Sequence, residues 1–163
     1  MFPRAGIFNF GGIVMASVFN VAAFVTNKCG DITTMKLQKL VYYCQAWSLA
    51  WDGAPLFDEE FQAWANGPVC PELFAMHRGL FVVSPNMFKE YSDYPFTDDQ
   101  IETMEVVIND LADKTPQWLS ELTHSERPWK DARKGCTLGD SCENIITKDS
   151  MQDYYSGLVG IEQ

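Results

Sequence analysis

The chain has 163 residues, of which 47% are hydrophobic and 13% aromatic. This composition excludes an intrinsically disordered protein, because disordered chains hold too few apolar groups to offset the entropy of ordering. The 12 basic and 22 acidic side chains leave a net charge of −10, which argues against direct binding to nucleic acid or to an anionic membrane, since both require clustered cations. We therefore expect a single domain with neither partner.

The first 14 residues are expected to lie outside that domain. A mostly apolar run follows Arg4, but Gly11 and other breaks interrupt it and no small-residue cleavage site follows, so a secretory signal is the less favoured alternative. Met15 is placed like a second translation start, immediately before residues that predict a helix. We interpret 1–14 as an N-terminal extension and 15–163 as the domain.

Two helix signals open the domain. Ser17 is placed to cap the first helix and Gly30 to end it. Thr33 or Thr34 is placed to cap a second helix, which Gly53 ends and which carries a continuous apolar stripe at helical period. The stripe consists of Leu37, Leu40, Val41, Cys44, Trp47 and Trp51.

The middle of the chain changes to an extended pattern. Residues 61–64 alternate as a short strand, and the turn at Asn66-Gly67-Pro68 predicts a small hairpin. Pro71 suits the first turn of a short helix that ends near His77, and 80–95 is predicted to be a loop.

The second half of the chain is again helical. Thr97 opens a helix with capping-box spacing, and Thr115 opens a short one. A short basic helix is predicted over Lys130 to Lys134, then a turn-rich mobile segment over 135–144, and Thr147 caps the last helix. The fold class predicted is mainly α: a single compact multi-helix domain with at most a small β-hairpin.

An acidic region precedes and includes the helix that begins after Thr97. Eight carboxylates and no Lys or Arg lie between Glu90 and Asp113. Four of them are our candidate acidic surface: Asp98, Asp99, Glu102 and Glu105. The favoured interpretation is a solvated helix face, and the alternative is a surface that attracts a basic partner.

The sequence offers little for catalysis or metal binding. Its five cysteines form no C-x-x-C pair and it has two histidines, so we expect no metal, no cofactor, and reduced thiols in the cytoplasm. His77 is expected at a helix C-terminus or on the surface. A small Cys/His hydrolase that uses Cys70 or His124 is the enzymatic alternative, but the chain is predicted not to be an enzyme.

Several sequence motifs occur together in a characteristic order. They are MKLQKLVYY (35–43), PLF (55–57), AW (63–64), GPV (67–69) and LTHSERPW (122–129). Together they resemble the Panacea domain, the SocA-like, phage-associated antitoxin family, over roughly 17–155. The N-terminal extension and the segment between Cys136 and Cys142 depart from the family pattern.

The resemblance implies a component of a toxin–antitoxin or phage-defence pair. Panacea proteins neutralise a neighbouring toxin by direct binding, which is the expected function here, with the toxin as partner. One branch instead delivers its toxin to the ClpXP protease, so a protease adaptor is the alternative. A homo-oligomer is also open, because antitoxins often assemble and the chain is rich in Tyr and Trp.

The residues expected to form the toxin interface or the family motifs come from the matching segments, with Trp47 of the apolar stripe in addition. They are Lys36, Lys39, Tyr43, Trp47, Phe57, Trp64, Gly67, Pro68, Val69, His124, Pro128 and Trp129. A scaffold role is favoured for the 36–43 helix, with lysine stems on apolar surface and ammonium groups in water. Trp47 and Trp64 are expected in the core. Gly67 and Pro68 are expected to fix a turn, which a β-branched residue at position 67 would distort if the turn requires positive φ. We interpret 123–129 as a structural joint in which His124 is a candidate pH-sensitive group.

Overall fold

The computed structural model describes residues 15–162, and the side chains of 15–159. The extension expected at 1–14 lies outside the described residues. The helices, in chain order, are α1 (Val18–Cys29), α2 (Thr34–Trp47), a π-helix (Ser48–Asp52), α3 (Pro71–His77), a 3-10 helix (Pro85–Tyr91), α4 (Asp98–Leu111), α5 (Pro116–His124), α6 (Arg127–Ala132) and α7 (Lys148–Glu162). The strands are β1 (Ile32–Thr33), β2 (Phe61–Trp64), β3 (Gly67–Val69), β4 (Val82–Val83) and β5 (Ile145–Ile146). The mainly α fold class is therefore confirmed.

Local hydrogen bonding explains where the helices begin. The hydroxyl oxygens of Ser17, Thr33, Thr97 and Thr115 each accept a backbone N–H from the first turn of the helix that follows. These bonds satisfy donors that have no partner inside the helix. The sequence predicted the caps at Ser17 and Thr97, offered Thr33 as one of two alternatives for the second helix, and placed the start of α5 at Thr115.

The second helix changes its winding before it ends. The chain continues from Trp47 as a π-helix to Asp52, and Gly53 then adopts a left-handed conformation. A π-helix closes i→i+5 hydrogen bonds, so it rotates the following side chains relative to an α-helix. Trp51, predicted to continue the apolar stripe, is consequently 44% exposed.

Two small antiparallel sheets accompany the helices. The predicted hairpin is β2 with β3, and β5 extends it on the other side of β2. β1 pairs with β4, which lies in the segment predicted to be a loop. Strands of two residues are too short to show an alternating pattern in the sequence, and their pairing is set by distant segments.

The basic helix is shifted towards the N-terminus relative to its prediction. α6 spans Arg127–Ala132 rather than Lys130 to Lys134. Pro128 lies in its first turn, where a residue without an N–H donor costs no helical hydrogen bond.

The segment after α6 differs most from expectation. Cys136 and Cys142 form a disulfide with a Cα–Cα distance of 6.0 Å, which corrects the expectation of reduced thiols for this pair. The Arg133 guanidinium, itself buried, donates to the carbonyl oxygens of Thr137 and Asp140 at 3.0 and 2.7 Å. The segment predicted to be mobile is thus tied to the domain.

α2 lies at the centre of the domain. It packs against α1, α4, α5 and α7, and every residue from Leu37 to Ala46 is buried. A helix buried on all sides provides core contacts to each layer around it. Among residues 15–162, no helix combines the length and apolar character needed to cross a membrane.

Candidate functional site

The motif segments meet against the buried length of α2. Lys39 is 1% exposed, and its Nζ donates to the carbonyl oxygen of Pro68 at 3.1 Å. Burial lowers the pKa of this ammonium group to about 7, because a charged amine loses its hydration there. The expectation that the Lys39 ammonium stays in water is therefore wrong.

Gly67 lies directly against that lysine. Its φ is +119°, so the condition that the sequence left open, a positive φ at this residue, is met. The turn itself lies at 65–66, and Gly67 is the first residue of β3. A Cβ at this position would come within 2.5 Å of Lys39 Cε and 2.9 Å of Thr123 Oγ1. Glycine is thus required twice, by the backbone conformation and by the approach of α2 and α5.

A buried amide connects α2 to the chain after the hairpin. Gln38 Oε1 accepts the backbone N–H of Cys70 at 2.9 Å, and Gln38 Nε2 donates to the Cys70 carbonyl oxygen at 3.3 Å. The same Nε2 lies 3.0 Å from His77 Nε2. His77 ends α3 as expected, but it is buried and not on the surface, and burial lowers its pKa.

The carboxylate of Glu126, the residue before α6, forms hydrogen bonds to α2 and α7. Glu126 Oε1 accepts hydrogen bonds from the hydroxyls of Tyr43 and Tyr155, both at 2.7 Å. Tyr42 OH lies 3.3 Å from Tyr155 OH. Burial raises the pKa of Glu126, although the two hydroxyl donors oppose that shift. Sequence reasoning missed this role, for which the signal was a glutamate inside the 122–129 motif.

The 122–129 motif contains a pair of stacked rings. The rings of His124 and Trp129 are 4.0 Å apart and nearly parallel. Trp129 Nε1 donates to the Trp64 carbonyl oxygen at 2.8 Å, and the Arg133 guanidinium lies 5.1 Å from the Trp129 ring. Burial first, and then Lys39, lower the pKa of His124. These contacts agree with the structural joint inferred from the sequence.

The remaining motif residues divide into buried and partly buried groups. Tyr43, Phe57, Pro68, Val69 and Pro128 are buried. Trp47 and Trp64 are only partly buried. Lys36 is also partly buried, and its Nζ donates to the Ala112 carbonyl oxygen at the end of α4 at 2.7 Å.

The acidic residues are organised along α4. Asp98, Asp99 and Glu102 are exposed, and the first two lie in the first turn, where carboxylates interact favourably with the helix dipole. Glu105 differs, because Lys28 Nζ of α1 lies 2.9 Å from its carboxylate.

The thiol proposed as a nucleophile is poorly placed for that chemistry. Cys70 is buried, and burial is the main cause that raises its pKa to about 12. Its Sγ lies 3.5 Å from a carboxylate oxygen of Glu72. A nearby carboxylate disfavours the thiolate, which is the reactive form.

The comparisons with known proteins gave one match. The family model described as antitoxin SocA-like, Panacea domain, matches residues 37–130. That range runs from α2 through most of α6 and so contains the hairpin, Lys39, Gly67 and the His124–Trp129 stack. Neither the curated proteins nor the solved structures gave a match.

Proposed function

This chain belongs to the antitoxin SocA-like, Panacea-domain family, and we propose that it neutralises a cognate toxin by direct protein–protein binding. The family match is the observation that carries the proposal. The internal position of the motif residues supports it, because those residues build a rigid framework and leave the solvent-facing surface for a partner.

A binding role requires no reactive group, and the buried titratable groups suit a framework. The Lys39 ammonium donates to the carbonyl oxygen of Pro68, and the Glu126 carboxylate accepts from the hydroxyl of Tyr43. The raised pKa of Cys70 favours its unreactive thiol form. The hydrolase alternative makes a separate prediction: a purified chain would turn over a small molecule, and Cys70→Ser or His124→Ala would abolish that turnover.

The charge of α4 supports a basic toxin surface. Exposed carboxylates raise the encounter rate of an oppositely charged partner, and salt screens that effect. Neutralising Asp98, Asp99, Glu102 and Glu105 together should lower the toxin association rate and flatten its dependence on salt. An unchanged rate and salt dependence would show that α4 does not steer the toxin.

The central experiment uses the product of the adjacent reading frame. Co-expression of this chain should rescue cells from that product, and a pull-down of the purified pair should recover both. A Gly67→Val variant, which should not fold, serves as the inactive control. Failure of the wild-type chain to rescue growth or to bind would overturn the proposal.

The protease-adaptor alternative is separated by one genetic test. Masking of the toxin by direct binding should persist in cells that lack ClpXP, whereas delivery to the protease should not.

We further propose that the chain acts in the cytoplasm, where a disulfide such as Cys136–Cys142 is uncommon. Thiol titration of protein isolated from cells would show its state there.

A further inference from the structure

Trp51 is an exposed aromatic residue held rigidly from one side. It lies in the π-helix and is 44% exposed. Its ring centroid is 4.7 Å from that of Trp47, which lies 5.3 Å from the ring of Tyr155. Trp51 packs on Trp47, which in turn packs on Tyr155 in the core, so the indole of Trp51 is held in a fixed position. Binding of a partner would therefore cost little side-chain entropy at Trp51.

A second exposed tryptophan provides the comparison. Trp118 is 43% exposed, nearly the same as Trp51, but Lys114 Nζ lies 5.1 Å from the centre of its ring. Among the described residues, no Lys or Arg lies over Trp51. Indole rings attract cations through their negative faces, so Trp118 has an internal cation that Trp51 lacks within residues 15–159.

The surroundings of Trp51 are acidic. Thr103 Oγ1 donates to Asp52 Oδ2 at 2.9 Å, which fixes the π-helix against one flank of α4. Asp99 lies four residues before Thr103 and Val106 three after it, so both lie on that flank. Val106 is also exposed. Neither the π-helix nor α4 contains a Lys or Arg. Among the described residues, Glu105 of α4 pairs with Lys28 of α1, whereas Asp52, Asp99 and Glu102 form no ion pair, so the flank around Trp51 carries negative charge without a described counter-ion.

We propose that Trp51 and the adjoining flank of α4 form a docking surface for a basic segment of a partner protein. An arginine of that segment lies on the indole of Trp51, and the carboxylates of Asp52, Asp99 and Glu102 surround its charge. Arginine fits better than lysine, because its planar guanidinium stacks on an aromatic ring and pairs with carboxylates at the same time. The proposal rests on the proposed function, since it places the toxin on this surface.

The first test uses the full chain and a defined probe. The probe is a dye-labelled synthetic peptide of alternating Arg and Leu, with Lys and citrulline peptides for comparison. Fluorescence polarisation at low salt should show tighter binding of the Arg peptide than of the Lys peptide, and little binding of the citrulline peptide. Trp51→Ala should weaken binding of the Arg peptide by about 3- to 30-fold.

Matched variants separate this surface from general effects. Trp118→Ala removes an equally exposed indole and should change affinity by less than about 2-fold, because that ring already holds Lys114. Glu102→Gln should weaken binding more than Glu105→Gln, since Glu105 is already paired with Lys28. Trp51→Phe and Trp51→Lys keep bulk at the site. Trp51→Phe should bind the Arg peptide weakly, and Trp51→Lys should not bind it. These two variants test the role of Trp51 if Trp51→Ala fails to fold.

The second test uses the toxin, and its outcomes are separable. Loss of toxin affinity in Trp51→Lys, but not in Trp118→Ala, supports the surface. Equal losses in the two variants, or full neutralisation by Trp51→Lys, would overturn the surface while leaving the proposed function standing. Failure of the wild-type chain to bind the toxin would instead overturn the proposed function. A wild-type dimer that Trp51→Lys dissociates would assign the surface to a second copy of the chain and overturn the partner stated here.

Discussion

The same side-chain types occur in two settings in this molecule. In the motif cluster (Lys39, Gly67, Glu126 and Trp129), charged groups are buried and hydrogen-bonded to other elements. On the acidic face (the π-helix and α4), groups such as Glu102 are exposed. Burial therefore separates charge that specifies the fold from charge that remains available to a partner.

The tryptophans repeat this contrast. Trp129 is buried, stacked on His124 and hydrogen-bonded through Nε1. Trp51 packs on Trp47 and is 44% exposed. A substitution in the motif cluster should consequently change stability, whereas one on the acidic face should change association and leave stability nearly unaltered.

The largest effect is expected at Gly67. Gly67→Val places a branched side chain at positive φ and within 3 Å of Lys39 and Thr123. We expect a loss of more than about 3 kcal/mol in the free energy of unfolding, or no folded protein. Circular dichroism during urea unfolding measures the loss.

Gly79→Val is the matched control. Gly79 also has positive φ, at +86°, but among the described residues a Cβ there would meet nothing within 4 Å. It should lose only about 1 to 2 kcal/mol from backbone strain. Equal losses at the two positions would show that the close approach to Lys39 contributes nothing.

The second largest loss of stability is expected at Glu126, whose carboxylate connects α6 to α2 and α7. Glu126→Ala leaves the hydroxyls of Tyr43 and Tyr155 without their acceptor and opens a cavity, so it should cost about 2 to 4 kcal/mol. Glu126→Gln keeps an oxygen acceptor and removes a buried charge, and it should cost less than about 1 kcal/mol. Chemical denaturation of both variants at pH 7 makes the comparison.

The pH dependence of Glu126 has a defined sign. Because its pKa is raised in the folded protein, the native state holds the proton at pH values where the unfolded chain has released it. Stability from this group is therefore fully present below the unfolded pKa and is lost as pH rises through the folded pKa. The wild type should lose stability relative to Glu126→Gln as the pH rises above about 4.5, and a constant difference would contradict the raised pKa.

Most helices could be predicted because their signals are local. The caps at Ser17 and Thr97 and the stop at Gly53 each depend on residues within one turn. The turn between β2 and β3 was predicted for the same reason, since Asn-Gly-Pro is a local turn signal, whereas a positive φ at Gly67 was left as a condition.

The features missed by sequence reasoning depend on distant partners. β5 pairs with β2 across more than 80 residues, and the burial of Lys39 depends on Pro68 folding over it. The role of Glu126 required knowing that Tyr43 and Tyr155 converge on it. Periodicity places a residue on a helix face, but it does not show which element covers that face.

The third prediction concerns the buried ammonium group of Lys39 and the dependence of the free energy of unfolding on pH. Because the pKa of Lys39 falls to about 7 on folding, the unfolded chain binds more protons above pH 7, and stability should rise with pH there. Between pH 7 and 8.5 the contribution of Lys39 to this gain should be about 1 to 2 kcal/mol. Lys39→Met, which keeps the length of the side chain and removes the amine, should abolish the gain.

The pH range is chosen to isolate Lys39 from other groups. From about pH 8 the raised pKa values of the thiols of Cys29, Cys44 and Cys70, and at higher pH that of Tyr42, oppose the gain, because their unfolded forms release protons first. The comparison with Lys39→Met cancels this contribution, because both proteins contain these groups. The lowered pKa values of His77 and His124 act mainly below pH 7. A gain of the same size in wild type and Lys39→Met would place its source elsewhere.

The smallest effect on stability is expected on the acidic face, where it is also the most informative. Glu102→Gln removes an exposed carboxylate that has no described hydrogen bond or ion pair, so the free energy of unfolding should change by less than about 0.5 kcal/mol. The same substitution should slow association with a basic partner at low salt and have less effect at high salt, because counterions screen exposed charges. Urea unfolding and stopped-flow binding on one protein preparation measure both quantities. A loss of stability comparable to that of Glu126→Ala would break the contrast between the two regions, since it would make Glu102 part of the framework that holds the domain together.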